Sequence, residues 1–296
     1  LSTDALPLVS IIFPVKNEGE NVKNTLDSLF SVQTDYPFEV IIADDFSEDG
    51  CCDFLIDYQH ADNIKLVKTE GLGAAMARNV GADHAKGNYL IFCDAHLFFE
   101  DYWIDRMMEL IIEGTADAVN PGIADAANQL SIGYGYHWNQ DLEPKWNIAY
   151  RSEPYPSPLL AGGCLAITRE AFFDIGGFER GFQVWGREDE EISLKLWLFG
   201  YKCYIQPNVK VLHIFRTHDS PFTLTWENVN FNTMQMAYSH FNESRIQKCK
   251  ELLKNSDPDK IDDLVKKGNV LKQRQEYFQR RKYDDDWFME KFKIEF

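Results

Sequence analysis

The 296-residue sequence predicts an α/β protein: a Rossmann-like, mostly parallel sheet flanked by helices, with a helical extension at its C-terminal end. Three observations predict it. Over about the first hundred residues, apolar runs too continuous for half-exposed strands alternate with amphipathic stretches. Several of these runs stop abruptly at acidic or imidazole side chains, the position at which open α/β sheets bind ligands. After about residue 240 the sequence becomes polar, charge-mixed and helical in propensity. On this reading residues 1–240 form one domain and residues 241–296 the extension.

Val9 to Val15 reads as a first buried strand, with Pro14 near its end, where a strand tolerates it. The polar turn Lys16–Glu20 follows. Asn21 is the expected cap of a helix whose Val22, Leu26, Leu29 and Phe30 keep helical spacing. Phe38 to Ala43 is a second strand, ending in Asp44-Asp45, with a helix expected beyond Gly50. Ile64 to Val67 is a third strand. Gly71 to Gly81 opens an Ala-rich helix with Arg78 and Asn79 near its start. Tyr89 to Cys93 is a fourth strand, and residues 101–113 an amphipathic helix. The stretch Gly133–Tyr155 is aromatic and aperiodic, and Pro154, Pro156 and Pro158 exclude a helix at its end. Ala161 to Ile167 is a Gly-led strand, followed by a helix at Arg169–Ile175. A helix from about Glu190 to Phe199 comes after the acidic pair Glu188-Asp189, and Val209 to Leu212 reads as a strand ending at His213.

The chain carries 30 basic and 47 acidic residues, a net charge of −17. Through His240 the counts are 16 and 35, a balance of −19; from Phe241 they are 14 and 12, a balance of +2. So acidic a body excludes nucleic acid as an expected partner, because phosphate neutralisation needs Lys and Arg. The near-neutral tail gives little support to membrane docking; packing on the body, or pairing with a second copy, suits it better. None of the six cysteines forms a CxxC pair, which suits a reducing, cytoplasmic compartment and argues against a structural zinc. No segment has the length and apolarity of a transmembrane helix. Because the sequence starts at Leu1, a trimmed form of an anchored protein, or a membrane-peripheral one, stays open.

Asp94 and His96 are two residues apart at the end of a strand, so in extended geometry they point to one side. Together they offer half of a divalent-metal site, and His213, also at a strand end, is a candidate third ligand. One Asp with two His suits Mn²⁺, or another divalent cation, better than Mg²⁺. Asp45 has the position of a carboxylate that accepts a hydrogen bond from a ribose or base; its bland reading is a turn cap. The Gly71-Leu72-Gly73 pair lacks the GxGxxG spacing, since position 76 is Met, so an oxidoreductase is disfavoured. Arg78 either reaches a phosphate or makes a surface ion pair. Glu188-Asp189 is either a complement to a helix dipole or a general base.

These segments together resemble a known family. SIIFPVKNEGENVKNTLDSL, VIIADDFSEDG, GLGAAMARNVGADHAKGNYLIFCDAH and GREDEEISLKLWLFGYK look like the nucleotide-sugar transferases of family 2, which have the GT-A fold. Asp94-Ala95-His96, GYHWNQDLEPKW, SPLLAGGCLAITREAFFDIGGF, VWGREDEEIS and HIFRTHDSPFT are similar to the catalytic domain of the polypeptide N-acetylgalactosaminyltransferases. The likeness spans about residues 8–240, leaves the tail uncovered, and continues into no lectin-like domain.

The resemblance implies a metal-dependent glycosyltransferase that takes a UDP-sugar as donor. Asp94, His96 and His213 would hold Mn²⁺ on the donor diphosphate, with Ala95 between the first two. Asp45 would bind uracil; Pro14, Asn17 and Glu18 would line the nucleoside pocket; Arg78 and Arg216 would face phosphates. Gly162 and Gly163 would let backbone approach the sugar, and Trp185, Glu188 and Asp189 would lie at the reaction centre. A loop over residues 214–225 would close on the donor. The acceptor would be a hydroxyl, or a thiol, of a peptide, protein or glycan, lying against the Gly133–Tyr155 aromatics. Asp189 stands where the polypeptide transferases carry Asn and inverting family 2 enzymes carry their base, which favours inversion. A retaining enzyme and a non-catalytic nucleotide-sugar-binding module are the alternatives. Arg187 stands where the family has Gly and is expected to reshape the sugar pocket.

Overall fold

The computed structural model describes residues 6–216 and 222–296. Residues 217–221 of the expected closing loop therefore lie outside the described residues. Strands β1 (Val9–Val15), β2 (Phe38–Asp44), β3 (Ile64–Lys68) and β4 (Tyr89–Cys93) alternate with helices α1 (Asn21–Ser31) and α2 (Ala74–His84). Next come β5 (Leu97–Phe98), α3 (Trp103–Ile112), β6 (Ala118–Asp125), β7 (Asn128–Gly133), the hairpin β8 (Tyr136–Trp138) and β9 (Pro144–Trp146), and β10 (Tyr155–Pro156). The core is completed by β11 (Cys164–Thr168), α4 (Arg169–Asp174), α5 (Glu188–Phe199) and β12 (Cys203–His213). Five helices follow: α6 (Trp226–His240), α7 (Glu243–Glu251), α8 (Pro258–Lys267), α9 (Val270–Arg280) and α10 (Asp285–Phe292).

The main sheet runs β10-β12-β6-β11-β4-β1-β2-β3, with β5 paired to β12 and β7 to β6. Strands β4, β1, β2 and β3 are mutually parallel, as are β6 and β12. Only β11, antiparallel to both β4 and β6, joins the two parallel halves. This is the mostly parallel, helix-flanked α/β architecture expected of a GT-A fold.

The central strands β1, β2, β4 and β11 are buried on both faces, which explains their continuous apolar runs. Ile12, Ile41, Leu90 and Phe92 point to one face, while Ile11, Phe13, Val40, Ile42 and Ile91 point to the other. The second face is covered by Val22, Leu26 and Leu29 of α1 and by Trp103 and Met107 of α3. The first is covered by α2 and α5, and Phe241, Ile246, Val265 and Phe288 of the C-terminal helices join the same cluster. Gly81 of α2 faces β1 so closely that a Cβ would stand 2.4 Å from Ile12 Cγ2.

Several local expectations are corrected. Asn21 is the first residue of α1, not its cap, and Glu20 before it makes no side-chain cap bond. No α-helix follows Gly50; Asp53–Asp57 and Ala61–Asn63 form only 3₁₀ turns. Arg78 lies in the second turn of α2, which starts at Ala74. Helix α5 starts at Glu188, so the acidic pair lies inside its first turn. The interior strand β6 was not anticipated, because Pro121 and Gly122 interrupt its apolar run.

Helix α5 is tied to the C-terminal helices by buried charge. Lys195 Nζ lies 3.1 Å from Glu191 Oε1, both residues fully buried. His240 Nε2 of α6 meets the same oxygen at 2.7 Å, and His240 stacks on Tyr277 of α9. Burial opposes both charges, but Glu191 pushes Lys195 up, and Lys195 with His240 pulls Glu191 down, so the pair stays ionised. Removing one partner of such a pair leaves a buried charge uncompensated. Lys195→Met is therefore expected to lower the unfolding free energy by about 3–5 kcal/mol, read from urea denaturation. A loss no larger than that of an exposed ion pair, about 1 kcal/mol or less, would show that α5 is not held this way.

Candidate active site

A cavity of about 940 Å³ opens at the carboxyl ends of β1, β2 and β4. All the candidate catalytic, nucleotide-binding and metal-ligating residues line it except Ala95. Ala95 is 1% exposed and its methyl packs into the core below. The alternation that turns Asp94 and His96 towards the cavity turns the residue between them away from it.

Sheet register assembles the centre of the cavity. Cys93 of β4 pairs with Cys164 of β11, and the next step of that ladder, Asp94 N–H to Gly163 O at 3.0 Å, sets Asp94 beside the Gly162-Gly163 backbone. His213, at the end of β12, pairs with Leu97 of β5, which brings its ring within 4.7 Å of the His96 ring, centroid to centroid. His213 Nε2 lies 3.4 Å and His96 Nε2 3.9 Å from Asp94 Oδ2. One ligand atom from each of the three residues falls within 4.8 Å of the others.

The surrounding groups prepare this cluster. Arg78, 7% exposed, donates to Asp94 Oδ1 at 2.9 Å and leaves Oδ2 to the imidazoles. Burial acts to raise the Asp94 pKa, but His213, Arg78 and His96 overcome it and hold the carboxyl well below its ordinary range. His96 Nδ1 lies 3.2 Å from Glu18 Oε2; with the proton assigned to Nδ1, the Nε2 lone pair faces the cluster, the usual outer-shell arrangement for a metal-binding His. Glu18 also pairs with Arg216, and these partners offset its burial to keep it ionised. A carboxylate with two imidazoles and open positions fits a divalent cation that accepts mixed N and O ligands.

Gly162 and Gly163 separate this cluster from Asp189. A Cβ on Gly163 would stand 3.3 Å from His213 Cδ2, and one on Gly162 would stand 3.3 Å from Asp189 Cβ. Gly162 N–H donates to Asp189 Oδ2 at 3.2 Å. Burial, with the Glu190 charge, pushes Asp189 up to about 6. Burial likewise pushes Glu188 up to about 7, although Gly186 N–H donates to both of its oxygens at 2.9 Å. The half-exposed Trp185 borders the same region.

Three of the residues are already engaged by neighbouring protein groups. Asp45 lines the cavity, but Oδ1 accepts from Thr69 Oγ1 at 2.5 Å and Leu72 N at 2.6 Å, and Oδ2 accepts from Gly73 N at 2.8 Å. Its carboxylate thus shapes the loop entering α2. Arg187 turns away from the cavity, donating to Leu142 O at 2.9 Å, Glu190 Oε2 at 2.6 Å and Thr233 Oγ1 at 3.1 Å. Arg78 is committed to Asp94. Of the aromatic stretch, Tyr136 and Trp146 line the cavity, with ring centroids 4.2 Å apart, and Trp146 meets Phe215. Burial and the Asp189 charge hold the Tyr136 phenol far above its usual range, so it stays a neutral hydroxyl. Phe215 falls within the expected 214–225 loop, although one aromatic after a strand end carries no signal of its own.

Residues 10–176 match glycosyl transferase family 2, and residues 144–219 match the N-terminal domain of galactosyltransferase. The chain is 31% identical over 237 residues to polypeptide N-acetylgalactosaminyltransferase 11 of Xenopus tropicalis, covering 71% of this chain and 39% of that one. It is 29% identical over 241 residues to polypeptide N-acetylgalactosaminyltransferase 10 of Rattus norvegicus, covering 74% of this chain and 39% of that one. The chain thus spans about two fifths of the length of these curated relatives. Among solved structures, GalNAc-T7 with UDP, GalNAc and Mn²⁺ superposes with a TM-score of 0.76 at 26% identity, over 97% of this chain and 57% of that one. No helix among the described residues is long and apolar enough to cross a membrane.

A methyl at position 163 would press on the His213 ring while leaving the sheet intact. Gly163→Ala is therefore expected to weaken divalent-cation binding about 10-fold or more, measured by calorimetric titration, with an unchanged thermal midpoint. Wild-type affinity in that variant would overturn the view that cation binding depends on the close approach of residue 163 to the His213 ring.

Proposed function

The chain belongs to glycosyl transferase family 2, and from that membership and the cavity geometry we propose that it moves a sugar from a UDP-sugar to a hydroxyl of a peptide, protein or glycan. The observation that carries this reading is the convergence of Asp94, His96 and His213 beside Asp189, across the Gly162-Gly163 backbone. The likeness to GalNAc-T7, solved with UDP, GalNAc and Mn²⁺, supports UDP and Mn²⁺ as the ligands.

Asp94, His96 and His213 would hold Mn²⁺, which when bound supplies positive charge to the donor diphosphate as UDP departs. Glu18 orients His96, and Arg78 keeps Asp94 ionised at its other oxygen. Arg216, paired with Glu18 beside the cation site, would lie on the phosphate side. Pro14, Asn17 and Asp45 would border the nucleoside, and Gly162, Gly163, Trp185 and Glu188 the sugar. Tyr136 and Trp146 wall the acceptor side and exclude water there.

Asp189 is the base in this reading. An acceptor hydroxyl needs a carboxylate to take its proton during in-line attack, and a pKa near 6 leaves Asp189 ionised yet basic at neutral pH. The product then has the inverted anomeric configuration. Likeness to the polypeptide N-acetylgalactosaminyltransferases favours a second reading, retention, in which position 189 takes no proton. The complete ligand set speaks against a purely binding module.

Asp189→Asn separates these readings. With Asp189 as base, kcat should fall by about 10²–10⁴-fold while UDP affinity in Mn²⁺ stays unchanged. Wild-type turnover in the variant would sink the base assignment, and proton NMR of the product's anomeric centre would then report retention. Wild-type kcat/KM should also fall as pH drops through about 6, because the protonated Asp189 carboxyl cannot accept a proton; a flat profile from pH 7 to pH 5 would contradict it.

A further inference from the structure

The segment from Phe178 to Arg187 carries Trp185 and leads into Glu188 and Asp189, yet none of its residues lies in a helix or strand. Its backbone polar groups must find partners elsewhere, and one side chain of α6 supplies them. Asn232 is fully buried. Its Nδ2 donates to the carbonyls of Gln183 at 2.8 Å, Gly186 at 3.0 Å and Trp185 at 3.3 Å, and its Oδ1 accepts from Gln183 N–H at 2.7 Å. One carboxamide thus binds both ends of the Gln183–Gly186 turn.

The turn passes this constraint on in two directions. Gly186 N–H holds both oxygens of Glu188. Val184 O accepts from Ala74 N–H at 2.8 Å, at the start of α2. Neighbouring positions of α6 repeat the contact more weakly: Asn228 donates to Gln183 Oε1, and Thr233 Oγ1 accepts from Arg187.

We propose that Asn232 is a positioning residue, whose buried carboxamide fixes the Gln183–Gly186 backbone and thereby sets Trp185 and Glu188 against the sugar of the donor. The inference rests on the glycosyltransferase reading above and adds to it a role for α6, outside both family matches. Asn232 touches no substrate and acts only through the turn. Its loss should therefore leave the nucleotide end of the site intact and disturb the sugar end.

The test uses the full chain, as wild type, Asn232→Ala and Asn232→Asp, with Mn²⁺, UDP, and whichever UDP-sugar of a panel the wild type turns over. The expected result is an unchanged affinity for UDP alone, weaker binding of the intact UDP-sugar, and a fall in kcat/KM on the order of 10²-fold, the usual effect of misplacing reacting groups by about 1 Å. Folded variants with wild-type kcat and KM overturn the proposal. Should neither variant fold, hydrogen exchange of the wild type decides it: the Gln183 amide is expected to be protected to the level of core strands, and exchange at open-loop rates overturns the clamp. A wild-type protein inactive on every UDP-sugar would overturn the transferase reading itself, whereas active wild type with unaffected variants overturns this inference alone.

Discussion

The Asp94 carboxylate is the constraint on which the site depends. One oxygen satisfies the buried Arg78 and the other faces two imidazoles, while its own N–H closes the antiparallel junction with Gly163. The charge balance around it determines what the cavity can bind. Among the described residues, the cavity is lined by three basic side chains, Lys16, Arg78 and Arg216, and six acidic ones, Glu18, Asp45, Glu48, Asp94, Glu188 and Asp189. Arg78 and Arg216 are already neutralised by Asp94 and Glu18, and Lys16 donates to the Asp45 and Phe46 carbonyls. An anionic diphosphate would meet net negative charge there. The positive charge it needs must come with a cation, and the cluster at Asp94 has the donor set for one.

Helix α5 converts one run of four acidic residues into several functions. Glu188 to Glu191 all lie in its first turn, where the helix dipole favours them. Successive residues in a helix point about 100° apart, so their carboxylates diverge. Glu188 and Asp189 face the cavity, Glu190 meets Arg187 and Trp138, and Glu191 turns into the core to meet Lys195 and His240. The crowding also bears on the proposed chemistry: after burial, the charge of Glu190 helps to raise the Asp189 pKa. The proposed reaction centre and the seam with the C-terminal helices are thus built from consecutive residues.

Features carried by short-range pattern were legible in the sequence. The strands β1 to β4 announce themselves as apolar runs, and Asp94-Ala95-His96 points to a shared ligand by strand alternation alone. His213 lies 119 residues from Asp94, so only the pairing of β12 with β5 gives their convergence physical content. The same alternation, applied strictly, would have removed Ala95 from the site. The position of Asp45 after a strand is legible, but spacing cannot reveal that both its oxygens accept from the Thr69–Gly73 loop. Asn232 is not legible in the sequence, because an Asn inside a helical stretch signals nothing by itself; its meaning comes from the carbonyls it meets.

Arg187 shows how a local departure acquires a structural reason. Its φ of 73° is a left-handed value that Gly adopts freely, and an L side chain there costs roughly 1–2 kcal/mol. The guanidinium supplies compensation by tying Leu142 O, Glu190 and Thr233 together. Leu142 belongs to the turn between β8 and β9, the hairpin that carries Tyr136, Trp138 and Trp146. Trp138 also donates to Glu190. The aromatic wall of Tyr136 and Trp146 is therefore joined to the first turn of α5, one residue from the proposed base, while Asn232 holds the Gln183–Gly186 turn that leads into that helix. A shift of α5 would displace the aromatic hairpin through Glu190 and Arg187 and the Gln183–Gly186 turn through Glu188, so in the proposed reaction both sides of the cavity move with one element instead of two independent loops.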